Sequence, residues 1–326
     1  MTANICFVSG HMFGHSALRG LLESDEYGCG RLRISLLLSL DAGRRNSTVG
    51  FCDFSDLSIK YSLNHQAIRS VKHAEVVGMI ESSTSDYLLV IGWSELVPGK
   101  ILDIPRAVNN SNDRHARTHG CIGMHPTLLP QGRGRAPIPW TIIKGLQETG
   151  VTVFLLEDAA DAGGIVLQAH IPIRHDETAT TLFAKCAEAH YNLSLQLAGR
   201  LAGRSLSWVD QDLSKVSIWP KRRPEDGQIS FGDDIESIDR LVRALTEPYP
   251  GAFFQYRGCR VIVNGVRIHR TVLSEGPGTI VGLSSEGLPC ISALNGTIEC
   301  LSIRCPESGI PEFLLGTSVV SDQRKF

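Results

Sequence analysis

Two stretches of this sequence carry side chains able to move protons near neutral pH. The first runs Gly123-Met-His-Pro-Thr-Leu-Leu-Pro-Gln-Gly-Arg-Gly-Arg-Ala-Pro-Ile-Pro-Trp140; His125 leaves an expected strand there and enters a loop stiffened by four prolines. The second, Glu148-Thr-Gly-Val-Thr-Val-Phe-Leu-Leu-Glu-Asp-Ala-Ala-Asp-Ala-Gly-Gly-Ile-Val-Leu-Gln168, sets Asp161 in a glycine-bounded loop between two strands. Taken singly, either residue reads as structural. Together, in strand-end loops that open onto one crevice, the functional reading stands beside the structural one.

The elements that must position this pair are legible as apolar runs. Residues 3–9, 33–40, 85–92, 120–124, 150–156 and 165–170 read as strands, continuous enough in Val, Ile and Leu to be covered on both faces. Helical patterns between them, at 16–24 and over 178–200, give an α/β architecture with a mostly parallel sheet. The charged, proline-bounded stretch Pro220-Lys-Arg-Arg-Pro-Glu-Asp-Gly227 reads as a linker, and a helix over 235–245 precedes short strands rich in Gly and Pro. The expected division is 1–205, a smaller β-rich domain over 206–308, and a weakly patterned tail at 309–326.

Composition narrows the function classes. With 32 basic and 34 acidic residues the net charge is −2 and the pI about 6.6, so no overall basic field draws nucleic acid or anionic membrane. No apolar run reaches the roughly 18–20 residues that span a bilayer. The start Met-Thr-Ala-Asn-Ile-Cys lacks the cationic and apolar regions of a signal peptide, which reads as a cytoplasmic protein. The nine cysteines form no C-x-x-C pair and read as reduced, buried thiols, with no metal expected. In His11-Met-Phe-Gly-His15 the spacing suits metal only on a helix, which Gly14 is expected to break. His170, His175 and His190 read as structural.

The motifs in these two stretches resemble those of the folate-dependent formyltransferase superfamily. This includes methionyl-tRNA formyltransferases, the glycinamide ribonucleotide enzyme and nucleotide-sugar N-formyltransferases. His-Pro-x-Leu-Leu-Pro, Arg-Gly-Arg-Ala-Pro, Glu-Thr-Gly-Val-Thr and Asp-Ala-Gly-Gly-Ile-Val-x-Gln stand in family order. Asp86–Pro98 is similar to the family strand and loop that hold the pterin, and Pro220–Gly227 with Val242–Phe253 resembles the start of its C-terminal domain. The likeness covers residues 1–308 and is weakest at 42–80 and 106–119. It implies a Rossmann-like formyltransferase domain followed by an OB-like β domain.

The reaction so implied is transfer of a formyl group from N10-formyltetrahydrofolate to a primary amine, with release of formate to water as the competing hydrolase reading. The amine must lose a proton to attack, and the tetrahedral carbon bears an oxyanion that needs donors. By position His125 takes the base or donor role and Asp161 orients it. Trp93, Ser94, Glu95, Leu96 and Val97, with Leu156, Glu157, Asp158 and Ala160, line the pterin slot, flanked by Leu129. Arg133 and Arg135 are available to an anionic folate tail, and His11, Met12, Phe13 and Thr127 to the acceptor.

One residue departs from the family pattern. The family Asn, two residues before the histidine, is Gly123. Three consequences stay open. Another polar group stands in, with Asn109, Asn110 and Asn112 in the insertion 106–119 as candidates; or the transferred group is formimidoyl, which makes less demand on an oxyanion donor; or a folate-binding protein remains. Ser-Gly-His after the first strand, in place of a Gly-Thr-Pro-like turn, and a faint basic loop at Arg44-Arg45 weigh against tRNA. They favour a small-molecule amine such as an amino sugar. The second domain is expected either to shape the acceptor pocket or to form the interface of a homodimer, and the sequence does not choose between them.

Overall fold

The computed structural model describes residues 1–105, 120–271, 273–306 and 309–319. The candidates Asn109, Asn110 and Asn112 lie outside the described residues. The chain forms two compact units. One comprises Met1–Pro137, Glu148–Pro172 and Ala184–Trp219; the other comprises Ile138–Gln147, Ile173–Phe183 and the chain from Pro220 onward.

In chain order the elements up to the first α-helical break are β1 (Ala3–Ser9), α1 (Met12–Leu22), α2 (Asp25–Gly28), β2 (Leu32–Leu40), α3 (Ser55–Lys60), β3 (His65–Ile68), α4 (Ala74–Ser82), β4 (Tyr87–Ile91) and α5 (Gly99–Leu102). Then follow β5 (Cys121–His125), β6 (Arg133–Gly134), α6 (Pro137–Ile143), β7 (Glu148–Leu155), β8 (Ile165–Pro172), α7 (Ala179–Ala202) and β9 (Ile218–Trp219).

The apolar runs become a seven-stranded sheet in the order β3-β2-β1-β4-β5-β7-β8. Its first five strands are parallel, and β4 and β5 are buried at every residue, as strands covered on both faces must be. The sheet is mixed, because β7 runs antiparallel to both β5 and β8 and sets Thr152 beside His125. β3 has four residues and β6 and β9 two each, too few for a readable period.

The first helix starts four residues ahead of the expected Ser16, because His11 caps it: its Nδ1 accepts the Phe13 amide at 3.1 Å. Gly14 does not break this helix; it is what lets the helix sit there. A Cβ on Gly14 would lie 1.9 Å from Ser9 Oγ and 2.9 Å from the Ile91 carbonyl oxygen. His11 and His15 serve different partners, since the His15 Nε2 lies 3.0 Å from both Asp56 carboxylate oxygens. Among the described residues no group of three or more His, Cys, Asp or Glu could hold a metal ion.

Helix α1 lies against α7 through Gly20, where a Cβ would stand 2.4 Å from the Tyr191 carbonyl oxygen. Phe13 stacks on His190 with centroids 4.6 Å apart. His190 is fully buried, and its Nδ1 donates to the Cys186 carbonyl at 2.6 Å, so Nε2 is left as an acceptor without a hydrogen-bond partner among the described residues. Burial pushes His190 down to about 3, with His11 and His125 near enough to add to the effect. The histidine expected to be merely structural therefore lies in the electrostatic neighbourhood of the candidate site.

In the second unit, α8 (Ile235–Ala244) precedes β10 (Ala252–Tyr256), β11 (Cys259–His269), β12 (Ile280–Leu283), β13 (Pro289–Ala293) and β14 (Gly296–Arg304). These strands form an antiparallel half-barrel sheet in the order β10-β11-β14-β13-β12. Asp234 caps α8 by accepting the Ser237 amide at 2.7 Å, and Ile235, Ile238 and Val242 are buried in one cluster with Phe254, Val261 and Ile298. Phe313 and Val319, in the stretch expected to be a tail, belong to the same core, while residues 206–219 pack with the first unit. All nine cysteines are free; Cys6, Cys121, Cys186 and Cys300 are buried and Cys29 is exposed. No described helix is long and apolar enough to cross a membrane.

Two stability measurements follow from the α1–α7 contact. Gly20→Ala must push against backbone at Tyr191, so urea denaturation should show a loss of about 1–3 kcal/mol. His190 binds its proton far less readily folded than unfolded, where 6.5 is its ordinary value. Its contribution is therefore complete above pH 6.5 and is lost progressively toward its folded value of about 3. Between pH 7 and pH 5 this amounts to about 2 kcal/mol, and His190→Gln should flatten the slope. An unchanged slope would assign the acid sensitivity elsewhere.

Candidate active site

β1, β4 and β5 are adjacent and parallel, so Gly10, Gly92 and His125 all emerge at one carboxyl edge of the sheet. His125 ends β5 and is 8% exposed. Its Nε2 lies 2.8 Å from the Gly132 carbonyl oxygen. A carbonyl only accepts, so Nε2 carries the proton, and in the neutral ring Nδ1 carries the lone pair. That Nδ1 faces Asp161, 3.9 Å from its Oδ1. The carboxylate is thus placed to interact with an imidazolium through space, while the ring is oriented by the Gly132 carbonyl and not, as expected, by the aspartate.

The loop that supplies this carbonyl is tied down on several sides. Thr152 Oγ1 donates to the Thr127 carbonyl at 2.7 Å and accepts from the Leu129 amide at 3.1 Å. Gln168 Nε2 donates to the Leu129 carbonyl at 2.8 Å and to Thr152 Oγ1 at 2.9 Å. The Gly132 amide donates to Ser217 Oγ at 2.8 Å, and β6 then pairs with β9. Gly134 takes φ of 107°, and a Cβ there would lie 2.5 Å from the Trp219 carbonyl oxygen, so no larger residue fits.

Asp161 sits in a left-handed turn at φ 55°. Its Oδ2 accepts the Gly134 amide at 2.8 Å, which joins the two motif loops directly. Gln211, unnoticed in the sequence, donates through Nε2 to the Asp161 and Gly163 carbonyls at 2.8 and 2.7 Å. Its Oε1 accepts Arg133 Nε at 3.0 Å and Nη2 at 2.7 Å. The Arg133 guanidinium is committed to this bond and is not spare for a folate tail; Arg135 is exposed.

The pterin-slot candidates fall on two facing loops. Trp93, Val97 and Leu156 each pack, partly buried, against the sheet's core, and a Cβ on Gly99 would stand 3.3 Å from Asp158 Oδ1. Glu95 is occupied: its Oε2 accepts Ser70 Oγ at 2.8 Å, the Val71 amide at 3.2 Å and Trp93 Nε1 at 3.2 Å. Ser94, Leu96, Glu157, Asp158 and Ala160 are exposed on these loops, whereas Leu129 is 3% exposed beneath them. Of the acceptor candidates, Met12 is exposed, while Phe13 and Thr127 are turned inward. His11 lies against Gly92, where a Cβ would meet its own Cβ at 2.6 Å, and burial pushes it down to about 4.

Gly123 pairs with Phe154 across β5 and β7. A Cβ there would lie 2.7 Å from Leu156 Cδ2 and 3.0 Å from the Phe154 ring. The atoms nearest the position a Cβ would take are hydrocarbon, from Leu156 and Phe154.

The formyl transferase family model matches residues 55–197, and the formyl transferase C-terminal domain model matches 221–315. A methionyl-tRNA formyltransferase from Marinobacter nauticus is 29% identical over 239 residues, 73% of this chain and 72% of that protein. WlaRD, a sugar 3N-formyl transferase crystallised with dTDP and 5-N-formyl-THF, superposes with a TM-score of 0.61 at 12% identity, covering 94% of this chain and 99% of that one. HypX from Aquifex aeolicus, in complex with tetrahydrofolic acid, superposes with a TM-score of 0.61 at 16% identity. It matches 93% of this chain, which spans only 44% of that longer one. The expectation that set tRNA aside does not stand, since likeness to a methionyl-tRNA enzyme extends over 73% of the chain. The turn after β1 and the net charge were too local and too coarse to discriminate. With one family model over the sheet that carries His125 and Asp161 and the second over the C-terminal half-barrel, the chain belongs to the formyltransferase superfamily, enzymes that transfer a formyl group from N10-formyltetrahydrofolate.

Proposed function

We propose that this chain formylates a primary amine at the carboxyl edge of its sheet, with His125 as the base and methionyl-tRNA as the first acceptor to test. The observation that carries the reading is the His125 tautomer. Nε2 is fixed as a donor to Gly132, which leaves Nδ1 as a proton acceptor beside a carboxylate at 3.9 Å. An acceptor ammonium gives its proton to Nδ1, and Asp161 stabilises the imidazolium that results. Residues 93–97 and 156–160 suit the flat, partly apolar pterin: Trp93, Val97 and Leu156 form a wall, and Gly99 leaves room beside Asp158. When bound, the folate supplies a formyl carbon activated for transfer. Phe154 and Leu156 keep water from the adjoining wall. The acceptor assignment follows the Marinobacter relative; an amino sugar, as in WlaRD, is the other arm of the test.

A second reading is favoured by Gly123 alone. The hydrocarbon packed at this position offers no side-chain donor to an oxyanion, and losing one such donor ordinarily costs about 10²–10³ in rate. A formimidoyl group, which places N–H where formyl has oxygen, tolerates that wall better.

Mass spectrometry of reactions with methionyl-tRNA and amino sugars, each with N10-formyl- and 5-formimino-tetrahydrofolate, separates the readings. A formyl adduct supports the first; an adduct about one mass unit lighter replaces it with the second. His125→Ala should cut turnover by about 10²–10⁴ while folate still quenches Trp93 fluorescence. Undiminished turnover would remove His125 from the chemistry.

A further inference from the structure

We propose that Gln211 is a positioning residue for the Asp161 carboxylate, the side chain through which the two catalytic loops are locked to each other. The inference rests on the proposed role of Asp161.

Gln211 is 8% exposed, and its amide is fully used. A primary amide has two N–H donors and an oxygen with two lone pairs. Here both donors go to carbonyls of the Asp161 loop, Asp161 and Gly163, and the oxygen takes both Nε and Nη2 of Arg133. The chain delivers Gln211 in register, because Val209 and Ile165 exchange both backbone hydrogen bonds at 2.8 and 2.9 Å.

The contacts close a ring. Asp161 Oδ2 is held by the amide of Gly134; the preceding residue, Arg133, grips Gln211; and Gln211 holds the Asp161 carbonyl. The aspartate is therefore fixed at both its carboxylate and its main chain, in a left-handed conformation that a non-glycine residue keeps only where its surroundings over-determine it. With Oδ2 fixed, Oδ1 has one direction left, toward His125 Nδ1.

The consequence is kinetic. Without Gln211 the Asp161 turn relaxes, the carboxylate drifts from His125, and the imidazolium loses its partner. Besides Asp161, His190, from α7, is near enough to interact electrostatically with His125, and His11, from the start of α1, with His190; both are held neutral by burial and neither replaces a carboxylate. Gln211→Leu should therefore lower kcat by about 10- to 100-fold, the scale of a sub-ångström to ångström misplacement. The dissociation constant for folate should stay within about threefold, and the acidic limb of the kcat/KM profile should move to lower pH.

Four enzymes decide it: wild type, Gln211→Leu, Asp161→Asn and the double variant. On the proposal, Gln211→Leu adds little once Asp161 is Asn, because the two act as one unit. Independent, multiplying losses with an unmoved pH limb would make Gln211 an ordinary stabilising residue and overturn the proposal. Wild-type turnover in Asp161→Asn would instead overturn the reading of the site itself. Should Gln211→Leu not fold, Arg133→Lys tests the same ring, since a single ammonium cannot grip Oε1 from two nitrogens. A fall in kcat with the same displaced limb is expected there, and an unaltered limb in a folded Arg133→Lys enzyme would refute the coupling.

Discussion

The hydrogen bond from His125 Nε2 to the Gly132 carbonyl is the constraint on which the site depends. An imidazole has two interchangeable nitrogens, and a base is useful only when one of them is reliably unprotonated and aimed at the substrate. A carbonyl is a better device for this than a carboxylate, because it fixes the proton on one nitrogen without itself competing for that proton. It also dictates the local fold: the chain must double back within seven residues of His125, and the returning loop must be rigid. The prolines at 126 and 130, the Thr152–Gln168 pair on β7 and β8, and the strand pairing of β6 with β9 all serve that return.

The antiparallel insertion of β7 beside β5 has two effects of opposite chemical character. At His125 it presents Thr152, whose hydroxyl organises the loop. Two residues earlier on β5 it presents Phe154, which together with Leu156 fills the space over Gly123. The period of two along a strand thus sets a polar support and an apolar wall on the same face of one sheet. An Asn at 123 would have to displace both hydrocarbons, so the glycine and its two neighbours form one unit of packing.

How much of this was legible in the sequence divides along contact distance. The loops 123–140 and 148–168 were readable as motifs because their distinctive residues are consecutive and bounded by glycine and proline. The long runs of β1, β2, β4 and β7 were readable because strands covered on both faces leave no polar alternation to confuse. Gln211 and Ser217 were not readable, since their partners lie 50 and 85 residues away and a lone Gln or Ser in a loop carries no periodic signal. The start of α1 was misread for a local reason: Gly14 signals a break when taken alone, but close packing against Ser9 and Ile91 excludes any Cβ there. The dismissal of tRNA failed by the same mechanism, with one turn given weight that belongs to the whole chain.

Two of the non-glycine residues with positive φ lie at the candidate site. Asp161 and Ala136, neither a glycine, take φ of 55° and 52°, and Gly132 and Gly134, just before Ala136, take 72° and 107°. Left-handed non-glycine residues persist only where neighbours over-determine them. At Asp161 the neighbours are identifiable: the Gly134 amide on the carboxylate and Gln211 on the main chain. Burying Gln211 with every donor and acceptor satisfied makes that grip specific, since a partly satisfied amide at 8% exposure would cost more than an apolar side chain. The energy that holds the aspartate in an unfavourable turn is thus supplied at folding, by a network remote in sequence. The carboxylate thus stands 3.9 Å from the His125 ring on a loop that this network already holds.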